Sequence, residues 1–108
     1  MITVASSGTQ TATIGTRHLI YDSSVSAVFT FLADLSAMAL GDQVELEIEI
    51  AYAPSGATKK TYSSGLYAHV QSEPGKLSVP VPSPYQIKFF LTQSAGTGRA
   101  FPWAIIAA

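Results

Sequence analysis

The segment Gln43-Val44-Glu45-Leu46-Glu47-Ile48-Glu49-Ile50 constrains the fold more than any other part of the chain. After the turn signal Gly41-Asp42, apolar residues at 44, 46, 48 and 50 alternate without exception with polar ones at 43, 45, 47 and 49. Successive side chains on an extended backbone point to opposite sides, so this is the pattern of a strand with one dry face and one wet face. A register slip of one residue would bury three carboxylates together. Val44, Leu46, Ile48 and Ile50 are therefore expected inward, and Glu45, Glu47 and Glu49 outward.

The same period recurs at Tyr85, Ile87, Phe89 and Leu91, which alternate with Gln86, Lys88, Phe90 and Thr92; Phe90 is the exception on the polar face. Ala27 to Ala33 carries Phe29 and Phe31 on one face and Val28, Thr30 and Leu32 on the other, the pattern of a central strand. Phe101 to Ile106 forms a last strand, and Leu35 to Leu40 is expected to make a single helical turn, too short to stand alone. Pro54-Ser55-Gly56, Glu73-Pro74-Gly75 and the loop Ser94 to Arg99 separate the extended pieces. Pro80, Pro82 and Pro84 strip one side of their segment of N–H donors, which confines it to a sheet edge or a connector. The first ten residues are uncharged and rich in Ser, Thr and Gly, and read as a mobile N-terminal arm whose order comes from a neighbour. Roughly seven to nine short strands at turn intervals of about ten residues predict an all-β chain. The expected architecture is a two-sheet antiparallel β-sandwich, jelly-roll-like, with residues 1–10 as the arm and 11–108 as a single domain.

Composition narrows the function classes. Charged residues are only 12% of the 108-residue chain and apolar ones 47%, so charge is too sparse to solvate the whole surface. A homo-oligomer, with a trimer favoured, fits this better than a free monomer. Six basic and seven acidic residues give a net charge of −1 without a basic patch, which disfavours nucleic acid. The amino terminus lacks a basic region before an apolar run, and no stretch approaches the length of a membrane span. The expectation is a soluble protein made without a secretion signal and with no membrane partner. There is no cysteine, so packing alone must hold the fold.

No constellation of residues points to catalysis, a cofactor or a metal. Glu45, Glu47 and Glu49 share a face but stand about 7 Å apart along the strand, too linear for a calcium site that needs six to eight converging oxygens. His18 and His69 have no partner at metal-ligand spacing, and no serine sits in a nucleophile elbow. Gly96-Thr97-Gly98-Arg99 lacks the lysine and following helix of a phosphate loop and reads as a hairpin. Arg99, Phe101 and Trp103, residue types enriched among interface anchors, stand beside that loop. With Ile2 and Val4 of the arm they are the interface candidates.

The motifs Gly41-Asp42-x-Val44-Glu45-Leu46, Pro80-x-Pro82-x-Pro84 and Thr92-Gln93-x-Ala95-Gly96-Thr97-Gly98-Arg99-Ala100-Phe101-Pro102-Trp103 together resemble small virion structural proteins of tailed bacteriophages, from about Thr11 onward. Within that group the chain looks like a capsid decoration, or cement, protein. The resemblance implies a non-enzymatic subunit, without cofactors, made in the host cytoplasm. It would bind the phage major capsid protein on the capsid exterior and stabilise the head. The alternatives are a carbohydrate- or receptor-binding module of a head or tail fibre, marked by an exposed platform among Tyr52, Tyr62, Tyr67, Tyr85 and Trp103, or a head-completion or tail component.

Overall fold

The computed structural model describes residues 2–108. Nine strands run through them: β1 (Thr3–Thr11), β2 (Arg17–Ser23), β3 (Ala27–Asp34), β4 (Gln43–Ala51), β5 (Thr58–Ala68), β6 (Gly75–Leu77), β7 (Val81–Ser83), β8 (Ile87–Ala95) and β9 (Ala100–Ala107). One sheet has the order β1-β9-β3-β6 with β7 also on β3, and the other β2-β8-β4-β5. All the pairings are antiparallel.

The pairings nest. β1 lies with β9, β2 with β8, β3 with β6 and β7, and β4 with β5, so the chain doubles back on itself around the β4–β5 connection. The resulting ribbon is rolled until successive pairs fall alternately in the two sheets, stitched by β9–β3 and β8–β4. This is the jelly-roll arrangement, a β-sandwich in which most neighbouring strands are distant in sequence.

The expected facing of β4 holds. Val44, Leu46, Ile48 and Ile50 are all buried, opposite Gln93, Leu91, Phe89 and Ile87 on β8. Between the sheets, Phe89 meets Phe29 and Phe31 edge to face at 5.9 and 5.5 Å between centroids, and within its own sheet it stacks on Tyr21 at 6.2 Å. Edge-to-face contacts favour the ring quadrupoles beyond the burial itself. The proline segment is at an edge: Val81–Ser83 pairs only with the start of β3, with Pro82 opposite Val28. β3 is internal to its sheet, as its two apolar faces imply.

Two expectations fail. Leu35 to Leu40 forms no helical turn; Asp34 accepts a bond from Ser36 N–H at 2.9 Å and Met38 N–H bonds to the Leu35 carbonyl at 3.1 Å. From these tight turns both Leu35 and Met38 enter the core. The arm is also not an arm. Thr3 to Thr11 pair with Ala107 to Ala100, because β9 would otherwise leave a row of backbone groups open. The boundary expected after residue 10 thus falls inside β1, while Met1 lies outside the described residues.

Replacing the hub residue should be costly and replacing an exposed apolar one should not. Phe89→Ala is expected to lower unfolding free energy by about 3–5 kcal/mol. Leu19→Ala, half exposed on β2, should change it by about 0.5 kcal/mol or less. Denaturant titrations of both variants check the contrast.

Candidate functional site

The loop that joins β8 to β9 is held from beneath by two buried polar side chains. Asp42 is fully buried, and its carboxylate accepts bonds from Ala39 N–H (2.8 Å), Thr97 N–H (3.2 Å) and Arg99 Nε–H (2.9 Å). Gln93, also fully buried, donates to the carbonyls of Ala95 (3.1 Å) and Thr97 (2.7 Å) and accepts from Arg99 N–H (3.1 Å). Gly96 has a φ of +91°, and a Cβ there would overlap the Asp42 side chain, so no other residue fits. Burial disfavours the charged form of Asp42, but the Ala39, Arg99 and Thr97 donors outweigh it and hold the carboxyl below its usual range.

These contacts sort the interface candidates. Arg99 is committed to Asp42, and Phe101 is fully buried in the core and presents no surface. Trp103 is half-buried against the core, its ring beside Gly8, where a Cβ would come within 3.0 Å of Cζ2. Ile2 and Val4 do lie at the surface, 72% and 63% exposed. The structure therefore does not bring the five together as one patch. Both histidines serve the backbone: His18 Nε2 accepts from Thr13 N–H at 3.0 Å, and His69 Nδ1 from Gly41 N–H at 2.9 Å.

The two outer faces of the sandwich differ in charge. Arg17, Asp22, Glu45, Glu47, Glu49, Lys59, Lys60 and Lys88 all lie on the strands of the β2-β8-β4-β5 sheet. At its centre Arg17 donates to Glu47 (3.2 Å) and Glu49 (2.7 Å), while Lys60 pairs with Glu47 from the other side at 2.6 Å. The glutamates face away from the core as expected, but Glu47 is only 5% exposed, not part of an open acidic face. Burial opposes ionisation of Glu47 and Glu49. Bonds from Lys60 and Arg17 to Glu47, and from Thr58 and Arg17 to Glu49, nevertheless set both carboxyls low.

The Arg17 guanidinium also lies 3.6 Å over the Phe90 ring. Nothing in the local pattern around Arg17 announces this role, since it lies 30 residues from Glu47 in the chain. The signal was Phe90 itself: an aromatic on the wet face of a strand needs cover, and a guanidinium plane supplies it.

By contrast β1 and β9 contain no charged residue. On the outer face of their sheet Val4 lies opposite Ile106, Ile106 opposite Thr30, and Leu32 between Ala104 and Leu77. Val28 and Leu77 are 41% and 67% exposed. A shallow, largely apolar concavity of about 500 Å³ runs between Leu32, Leu77, Pro102 and Ala104, with Asp34 at its rim. A separate polar cleft of about 510 Å³ at one end of the sandwich is lined by Asp22, Ser24, Thr58, Tyr85, Gln86 and Lys88. Of the five aromatics considered for a platform, Tyr62, Tyr67 and Trp103 pack against the core. Tyr52 turns its hydroxyl to Thr61 at 3.0 Å, whereas Tyr85 lines the cleft.

No family model matches the chain, and no curated protein matches it. Among solved structures, a chain in the structure of infectious bursal disease virus Gt strain matches 99% of this chain with a TM-score of 0.50 and 13% sequence identity. This chain spans 32% of that one. At such an identity the two share a fold.

Stability should depend on acid in a defined direction. The carboxyls of Asp42, Glu47 and Glu49 are depressed in the folded state, so their contribution is present above the ordinary carboxylate values and is lost as pH falls through the depressed ones. Thermal midpoints are expected to be flat near neutrality and to fall below about pH 4.5. Asp42→Ala leaves the Thr97 and Arg99 donors without their acceptor and should cost about 2–4 kcal/mol at pH 7. Calorimetry across pH 2–8 on both proteins should show a shallower acid dependence in the variant.

Proposed function

We propose that this chain is a structural subunit of a virus particle, of the capsid decoration type found on tailed bacteriophages. It binds the exterior of the major capsid lattice and stabilises the head by adhesion, without chemistry. The observation that carries the reading is the segregation of charge. One outer face of the sandwich carries an ion-paired, water-facing ladder, and the other is mostly apolar, with Asp34 at the end of β3 as its charged residue, and suited to burial against a shell. The resemblance of its motifs to small phage virion proteins, and a jelly roll shared with a chain of a virus structure, support the same reading. Many copies of a modest interface on one lattice gain strength by multivalent attachment.

The polar cleft beside Tyr85 favours a second reading, a glycan- or receptor-binding module of a fibre, because clustered hydroxyl, amide and carboxylate groups beside an exposed ring suit a sugar.

Quantitative protein analysis of purified particles tests the first reading. Hundreds of copies per virion are expected for decoration of a lattice, against about a dozen or fewer for a vertex or tail component. The double substitution Val28→Glu and Leu77→Glu lies on exposed positions and should leave the thermal midpoint within a few degrees. It should nonetheless strip the protein from capsids, which then rupture at lower temperature. Retained binding of this variant, or glycan binding with no effect on capsid robustness, would favour the fibre reading.

A further inference from the structure

Each sheet of the sandwich ends in strands that present an unpaired row of backbone N–H and C=O groups, a template for another strand unless something blocks it. Three of the four edges carry such a block. β5 has Lys59, Lys60 and two register irregularities against β4. β2 has Arg17, Asp22 and an irregularity between Leu19 and Tyr21. The β6/β7 edge consists of two three-residue strands, one holding Lys76 and the other flanked and interrupted by Pro80, Pro82 and Pro84.

The fourth edge is β1, and it has neither charge nor proline. Its one irregularity, between Val4 and Ser6, sits near one end, and Ser6 to Thr11 then run in regular register with Ile105 to Ala100. At the far end Gln10 is tied to His18 at 3.2 Å, which leaves Ser6 to Thr9 open. Ser7, Gly8 and Thr9 are exposed.

We propose that β1 pairs antiparallel with β1 of a second copy of this chain, about a two-fold axis near Ser7 and perpendicular to the sheet. The occupant follows from the inventory of edges. An open edge takes another open edge, and among the described residues every other edge is blocked, so the same strand lies on both sides of the contact. A contact of a patch with itself is two-fold and closes as a dimer. Two identical strands normally meet with their own charges opposed, but β1 has none to oppose. Sparse charge favours an oligomer without fixing its number; a three-fold ring through β1 would need a second, different open edge, which the described residues lack. The dimer joins two sheets into one, with both largely apolar outer faces on the same side. That doubles the surface available to a shell, although the pairing itself does not depend on the virion reading.

The chain has no cysteine, so single introduced thiols report the geometry cleanly. Sedimentation velocity of the intact protein over roughly 1–500 µM should show a monomer–dimer equilibrium. Ser7→Lys places like charges across the axis and should weaken the dimer by about tenfold or more, with Ser7→Thr unchanged. Both variants are at an exposed position, so their thermal midpoints as monomers should match the parent. Oxidation should convert Ser7→Cys to a covalent dimer, and leave Lys59→Cys and Leu77→Cys monomeric. A monomer at every concentration overturns the proposal, as does a dimer indifferent to Ser7→Lys or one that cross-links through Leu77→Cys. Capsid copy number bears on the proposed function and leaves this result untouched.

Discussion

The structure depends on the packing of β4 and β8 against the opposite sheet. These two strands put Val44, Leu46, Ile48, Ile50, Ile87, Phe89 and Leu91 on one side, and no arrangement of a single sheet removes all of them from water. A second sheet must cover them, and Phe29, Phe31, Phe101 and Ile105 supply its inner face. Burial of apolar side chains contributes about 1.5–3 kcal/mol each against the entropy of ordering the chain, and a protein without disulfides has no other large term. The jelly-roll order follows as one way to fold a long doubled ribbon so that both of its halves share this single core.

A rolled ribbon has to turn sharply at its ends, and the polar residues at these turns are as buried as the core. Asp42 and Gln93 tie the β8–β9 loop, the β3–β4 turn and the start of β9 to one another through side-chain bonds to backbone N–H and C=O groups. Buried backbone groups left without partners would be costly in a domain this small. Arg99 closes the charge on Asp42, which explains why an arginine in an otherwise uncharged region carries a structural duty.

The sparse charge of the chain is spent unevenly. Most of it lies on the β2-β8-β4-β5 sheet, where the ladder of Arg17, Glu47, Glu49 and Lys60 makes an exposed face compatible with water and Arg17 covers Phe90. What remains is a sheet face whose charge is confined to Asp34 at one end and an edge strand, β1, without any, and both the proposed attachment to a shell and the proposed pairing of two copies use this remainder. The same economy of charge that would make a free monomer poorly soluble suits a subunit that works in an array.

The class of fold and the facing of its central strands are written in the local order of residues. A period of two is a local property, visible at Val44 to Ile50 and at Ile87 to Leu91 whatever surrounds them, and proline removes a donor wherever it stands, so the edge at Val81–Ser83 was also legible. The remaining features come from contacts between strands far apart in the chain. β1 has no periodic pattern because both of its faces are largely exposed, and its order comes from β9, about a hundred residues away, through backbone bonds that carry no side-chain signature. Phe101 and Arg99 looked like surface anchors by residue type, yet one fills the core and the other neutralises Asp42, a partner 57 positions distant. Leu35 and Met38 entered the core from turns instead of from a helix for the same reason: where a side chain goes depends on which distant strand leaves it room, and that is a property of the packed whole.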